Sequence, residues 1–297
     1  MPELPEVETV ARGLQSTVAG RRILRVTLGK TDFIDNPEDV IRELPGAEIR
    51  LVERFGKFLL LRLRREAAAG ADNEAALLVH LGMTGMLSPW GAAQPHAKHT
   101  HAFMALDDGR ELRYVDPRRF GRIAYLPPDV LREELKRFGA DPLLVGFDEF
   151  TTRIQSRTSR IKALLLDQSV LRGVGNIYAD ESLWRSKIHP ERVGSSLSPK
   201  ELKALYRALQ AILHRAIQMR GSSISDFVDA EGLPGEYQAH HKAYGREGEP
   251  CVRCKTPIRR IIVAGRSSFF CPNCQPAPRK RRKKRRDAKK KKARRRV

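Results

Sequence analysis

The chain has 297 residues, 41% of them hydrophobic, and a formal net charge of +21. That length is enough to bury a sizeable core in one or two globular domains, and no run approaches the ~20 apolar residues that a membrane-spanning helix needs. The charge is uneven, with fifteen basic residues and one acid between Arg279 and Arg296; this tail and the moderately basic body both call for a polyanionic partner, without separating DNA from RNA or an anionic membrane surface.

In chain order, the acidic start with Pro2, Glu3, Pro5, Glu6 and Glu8 is the opposite of a basic, then apolar, leader, which points to a soluble cytoplasmic protein. A helix is predicted from residue 6 to about 14, with Val7, Val10, Ala11 and Leu14 on one face. Residues 1 to about 130 otherwise read mainly as strands, the clearest at 23–28, 57–63, 76–80 and 101–106, with a loop at 67–73. Pro127-Pro128 and the stretch 141–149 suggest a hinge. From about Thr151 the period becomes helical, with apolar faces at 161–166, 177–186 and 199–219, the last opened by Ser198, Pro199 and Glu201. The Gly- and Ser-rich stretch 221–237 reads as a long functional loop. Residues 276–297, densely cationic and without period, are expected to be disordered.

Two patterns carry chemistry. Cys251-x2-Cys254 and Cys271-x2-Cys274, sixteen residues apart, fit two knuckles closing a four-thiolate zinc site across a β-hairpin. Such a site leaves no open position, so one structural ion is expected; free or disulfide-bonded cysteines are the alternative. At the other end, a small second residue permits removal of Met1, which would expose Pro2 as a secondary amine. An α-amine, with an ordinary pKa of ~7.7–8.0, is partly neutral and nucleophilic at physiological pH. It can condense with a sugar C1′ to an iminium, and the neighbouring Glu3 can donate a proton. Read alone, the same residues also fit ordinary helix-start chemistry.

Pro2-Glu3-Leu4-Pro5-Glu6-Val7-Glu8, taken with further motifs in order and spacing, resembles the formamidopyrimidine-DNA glycosylase family from residue 2 to about 275. The resemblance implies an α+β fold of two domains: an N-terminal β-sandwich flanked by helices, then a helical domain with a helix-two-turn-helix motif and a four-cysteine zinc β-hairpin. The implied limits are 1–130 for the sandwich, 131–150 for a linker, 151–240 for the helical domain, 241–275 for the zinc finger and 276–297 for the tail.

The resemblance also implies roles by position. Pro2 is the nucleophile, Glu3 assists ring opening, and Lys57 in Phe55-Gly56-Lys57-Phe58 donates a proton during β-elimination. Arg266, five residues before Cys271, grips phosphates and assists δ-elimination. Met83 in His80-Leu81-Gly82-Met83 fills the hole left by an extruded base. In Asp116-Pro117-Arg118-Arg119-Phe120-Gly121, Arg118 pairs with the orphaned cytosine and Phe120 wedges the stack; unstacking is needed before chemistry on a duplex base. His99, Arg157, Lys162 and Asn176 are expected to contact DNA, with the glycine turn before Asn176 presenting amides and a helix N-terminus to a phosphate. Arg157 departs from the family's usual Lys. The loop at 221–227 implies closure over 8-oxoguanine.

The implied activity is excision of oxidised purines from damaged double-stranded DNA, followed by strand cleavage, by a monomer that needs zinc but no nucleotide, flavin or catalytic metal. An endonuclease VIII-like preference for oxidised pyrimidines and a non-catalytic zinc-ribbon DNA-binding protein are the rival readings.

Overall fold

The computed structural model describes residues 1–65, 74–224 and 227–278. The predicted loop at 67–73, Ser225 and Asp226 of the long loop, and the tail from Arg279 onward lie outside the described residues.

The chain opens with α1, Leu4–Val18, which is longer than the predicted helix. Pro5 sits in its first turn, where a missing N–H costs nothing, and Glu3 and Glu6 form a capping box at its start. Nine strands and one short helix follow. Strands β1 (Ile23–Leu28), β7 (Thr100–Leu106), β8 (Arg110–Val115) and β6 (Met86–Gly91) form an antiparallel sheet in that order. A second sheet has the order β2 (Ile34–Asp35), β9 (Arg122–Leu126), β5 (Ala75–His80), β4 (Phe58–Arg64), β3 (Glu48–Phe55), with only the β2–β9 pair parallel. Helix α2, Pro37–Glu43, follows β2.

The two sheets and α1 share one core, with Leu59, Leu61, Leu77 and Val79 from one sheet meeting Leu87, Met104, Leu112 and Tyr114 from the other. Alternate residues of the same strands, Leu60, Ala76 and Leu78, face the opposite way and pack with Leu131 of α3, Pro128–Lys136. Burial on both faces is why β4 and β5 carry continuous apolar runs.

The stretch 131–150 read as a linker therefore contains a helix that covers the sheet. Pro127-Pro128 starts that helix rather than interrupting the chain.

The second core gathers α4 (Phe147–Gln155), α5 (Ile161–Leu166), α6 (Asn176–Ser186) and α7 (Pro199–Gln218) around Phe150, Tyr178, Leu205 and Leu209. Leu4 belongs to this core, whereas Val7, Val10 and Leu14 belong to the first. Helix α1 thus begins in one domain and runs into the other, which puts Pro2 and Glu3 at their junction. A hairpin, β10 (Arg259–Val263) with β11 (Arg266–Phe270), lies between the cysteine pairs as predicted. Among the described residues no helix is long and apolar enough to cross a membrane.

Candidate active site

Glu3 is 4% exposed, and its carboxylate sits on the N-terminus of α6, where Oε1 accepts from the Ile177 amide at 3.0 Å and Oε2 from the Tyr178 amide at 3.4 Å. Unpaired amides and the helix dipole make that end a natural anion site. In this structure the Ile177 and Tyr178 amides of that end are taken by this carboxylate. The approach needs a bare backbone at Gly175, since a Cβ there would lie 2.3 Å from Glu3 Cδ. Burial pushes the Glu3 carboxyl above its ordinary range, while the Lys57 charge and the two amides pull it back. A carboxyl so placed holds a proton more readily at neutral pH, as a proton donor must.

Lys57 follows Gly56 in the turn from β3 to β4 and is 9% exposed. Burial lowers its pKa first; the Glu3 carboxylate opposes this and Arg266 adds to it. The chain's terminal amine responds to the same set: burial lowers it, Glu3 and Glu6 raise it, Lys57 and Arg118 lower it. Glu3, Lys57 and Arg118 are thus within electrostatic reach of the terminal amine, and Arg266 within reach of Lys57 although 209 positions separate those two in the sequence. Pro2 itself is buried. It lines a cleft of about 30 Å³ with Met1, Glu6, Met83, Ser222 and Ile224. With Met1 attached, Pro2 nitrogen is an amide without a nucleophilic lone pair, so Met1, which lines the cleft, caps the amine.

Sequence reasoning assigned no role to Glu6, yet it organises the floor of this cleft. Its Oε2 accepts from the Glu3 amide at 2.8 Å, and its Oε1 from the Ser222 amide at 2.7 Å and from the Tyr178 hydroxyl. The spacing of Glu3 and Glu6 is that of a capping box, which was the one local signal for it. Ser222 continues the chain of contacts to His241 Nε2 at 3.1 Å, so the base of the long loop is tied to α1.

The predicted wedge residues stand out from the surface. Met83 is 42% and Phe120 58% exposed, and the Arg118 guanidinium lies 4.7 Å from the centre of the Phe120 ring. His99 is exposed with φ +70, and Arg157 is exposed but engaged by Asp167 at 3.2 Å. Asn176 opens α6, half-buried, and its Oδ1 has no hydrogen-bond partner among the described residues.

Lys162 differs from the expectation of a DNA contact. It is fully buried, its Nζ held by Asp180 Oδ1 at 2.7 Å and by the Ser267 carbonyl at 2.8 Å. Asp180 Oδ2 also accepts from the Phe269 amide at 2.9 Å. The pair leaves the ammonium no route to a phosphate here and instead fastens α6 to the strand that carries Arg266.

The four cysteine sulfurs lie within 4.8 Å of one another, with Sγ–Sγ distances of 3.4 Å for Cys254–Cys271 and 3.5 Å for Cys254–Cys274, and no disulfide joins them. Tetrahedral zinc with Zn–S near 2.3 Å requires about 3.8 Å between sulfurs, so the cluster fits one closed ion site. The module is docked on α6: Arg253 stacks 3.7 Å over Trp184 and donates to the Trp184 and Arg185 carbonyls at 2.7 and 3.0 Å.

Comparison with known proteins agrees with this assembly along the chain. Residues 1–123 match the model of the formamidopyrimidine-DNA glycosylase N-terminal domain, residues 138–228 that of the formamidopyrimidine-DNA glycosylase H2TH domain, and residues 248–277 that of the zinc finger found in FPG and IleRS. The formamidopyrimidine-DNA glycosylase of Herpetosiphon aurantiacus is 45% identical over 280 residues, covering 93% of this chain and all of that one. The MutM (FPG) protein of Thermus thermophilus superimposes with a TM-score of 0.81 at 41% identity, again over 93% of this chain and all of that one. The Lactococcus lactis FPG (MutM) bound to Fapy-dG-containing DNA does so with a TM-score of 0.82 at 36% identity and the same coverage.

Proposed function

The chain belongs to the formamidopyrimidine-DNA glycosylase family, and from that premise we propose that Pro2, once Met1 is removed, is the nucleophile of its base-excision reaction. The protein is a DNA-repair glycosylase with AP lyase activity and a structural zinc site. The observation that carries the residue assignment is the position of Pro2 and Glu3 at the domain junction, with Lys57 near enough to act on the Glu3 carboxyl and Arg266 near enough to act on Lys57.

In this reading, the lone pair of the Pro2 nitrogen attacks C1′ of the flipped nucleotide and the glycosidic bond breaks, with the base leaving as it gains a proton. Glu3 gives its proton to the ring oxygen, the sugar opens, and Pro2 nitrogen and C1′ share an iminium double bond. That electron sink lets C2′ lose a proton and expel the 3′ phosphate. A second elimination expels the 5′ phosphate, and water releases Pro2. Lys57, its ammonium made more acidic by burial, supplies a proton during the first elimination. Arg266 makes no ion pair among the described residues and is free to hold the departing phosphates. Zinc takes no part in these steps; it holds the hairpin that carries Arg266.

Met83 and Phe120 occupy the space of the extruded base and its neighbour, and Arg118 takes the orphaned cytosine. His99, Arg157 and Asn176 contact the backbone, Arg157 by exchanging Asp167 for a phosphate. Borohydride reduction during turnover on 8-oxoguanine opposite cytosine, followed by peptide mapping, tests the nucleophile. The adduct is expected on Pro2 of chains lacking Met1. An adduct on Lys57, or active protein that retains Met1, would overturn the assignment.

A further inference from the structure

Asp116 is fully buried between the two loops that carry the wedge residues. Its Oδ1 accepts from Thr84 Oγ1 at 2.7 Å and from the Arg118 amide at 3.2 Å. Its Oδ2 accepts from the Gly121 amide at 3.0 Å and from the Tyr114 hydroxyl at 3.2 Å. Its own amide donates to the His99 carbonyl at 3.1 Å, and its carbonyl accepts from the Arg119 amide at 3.3 Å. One residue therefore holds the Met83 loop, the Arg118–Phe120 loop and the His99 loop. Among the described residues no cation pairs with it, so four donors alone satisfy a buried charge. The loops also touch directly: a Cβ on Gly82 would lie 2.5 Å from the Phe120 carbonyl carbon, and one on Gly121 would lie 1.8 Å from the Tyr114 hydroxyl oxygen.

We propose that Asp116 is a positioning residue that joins the two insertion loops into a single wedge, fixing Met83 relative to Arg118 and Phe120 so that they enter the duplex together. The inference rests on the reading above that these three residues fill the opened stack. A carboxylate suits the site because the Arg118 and Gly121 amides, one on each oxygen, can only donate. Asparagine has the same shape, but its NH2 would face either the Arg118 amide or the Gly121 amide; the Thr84 or Tyr114 hydroxyl beside it can turn to accept, but the amide cannot and would lose its acceptor, loosening one side of the junction. Thr84→Val cuts the bond to the Met83 loop alone.

The test separates base extrusion from chemistry. Excision of 8-oxoguanine opposite cytosine requires the base to be unstacked, whereas strand incision at a ready-made abasic site starts without a base. In single-turnover assays at saturating enzyme, Asp116→Asn is expected to slow excision on the order of 100-fold, the loss that a misplacement near 1 Å brings. Incision at the abasic site should stay within about 3-fold, since unstacking a base is the step that the wedge assists. The fluorescence change of a 2-aminopurine beside the lesion should fall with excision, and Thr84→Val should lie between the two proteins in both readouts. Excision at the normal rate in Asp116→Asn, or equal loss of both activities, overturns the inference. If Asp116→Asn does not fold, Thr84→Val carries the same test with the same outcomes. Phe120→Ala is the control for the underlying reading: slow excision there with a normal Asp116→Asn rejects the clamp alone, and normal excision in Phe120→Ala rejects the wedge itself.

Discussion

Glu3 and Glu6 show how burial sets the chemistry of single groups. Gly175→Ala would drive a methyl into the Glu3 carboxyl, displacing the proposed proton donor from the Ile177 and Tyr178 amides through a residue that itself takes no part in the reaction. Excision is expected to fall about 100-fold, because sub-ångström placement of a proton donor carries effects of that size; duplex affinity and the thermal midpoint should change little, and equal loss of binding would show that the turn itself had collapsed. Glu6 is pushed up to about 7, chiefly by burial and then by the Glu3 charge. Between the ordinary 4.5 and about 7 the folded chain keeps a proton that the unfolded chain has released. Its contribution to stability is thus complete below 4.5 and is lost as pH rises through about 7. Glu6→Gln cannot titrate, so the fall in thermal midpoint between pH 5 and pH 8 should be smaller in the variant; an unchanged fall would assign the pH dependence to other groups. The role of Glu3 was legible in a motif. That of Glu6 was not, because its partners Tyr178 and Ser222 lie far along the chain.

At the scale of elements, α6 is the part on which the site is assembled. Its N-terminus holds Glu3, Asp180 on its flank holds Lys162 and the Phe269 amide, and its last turn is capped by Arg253 of the first knuckle. Zinc therefore acts on Arg266 through α6 and the hairpin. Trp184 packs with Ala243, Cys251 and Cys271, apart from the sandwich core. Structural zinc in finger peptides supplies about 10–16 kcal/mol of apparent binding energy, so removing it should unfold the hairpin. Chelation in a Trp90→Phe background should shift Trp184 emission to the red and abolish DNA binding while most far-ultraviolet dichroism remains. Loss of all secondary structure in one transition would instead mean that the two cores stand on the zinc. The elements easiest to read in the sequence were those with one clear pattern: the doubly buried β4 and β5, the long amphipathic α7 and the cysteine-flanked hairpin. Strands β6 and β8 escaped because their polar residues are satisfied inside. Arg113 is 1% exposed, bonded to Glu111 and to the Gly91, Gln94 and Pro95 carbonyls, which hides the alternation. Helix α3 escaped because Pro127-Pro128 reads as a break until the chain after it is seen to cover a sheet.

Across the whole molecule, the two domains meet at a buried ionic junction. Arg54 of β3 pairs with Glu8 of α1 and with Asp141, both at 2.8 Å, and Arg172 approaches Asp141 at 3.7 Å while lying over Phe55 at 4.4 Å. Removing one member of such a network typically costs about 3–5 kcal/mol, and through Asp141 the network ties the start of the stretch predicted as a hinge to β3. The long-range field has the task of bringing DNA to the cleft, and to it this chain adds cations that lie beyond the family match. The family match ends at residue 277, and the Herpetosiphon aurantiacus protein is covered completely by 93% of this chain. The fifteen cations from Arg279 onward are thus an addition to a site that is complete without them. Each phosphate that they neutralise should steepen the fall of log K with log salt by about 0.9, whatever the base sequence. Deleting residues 279–297 is expected to weaken binding of undamaged duplex at low salt and to make its salt dependence shallower by several units of slope. Single-turnover excision at saturating enzyme should remain within about 2-fold, because the tail adds phosphate contacts that carry no lesion information. Steady-state excision of a lesion embedded in long DNA should slow in the deletion as salt is lowered, through loss of sliding along nonspecific sequence. Loss of excision at saturating enzyme would instead place the tail in the catalytic assembly.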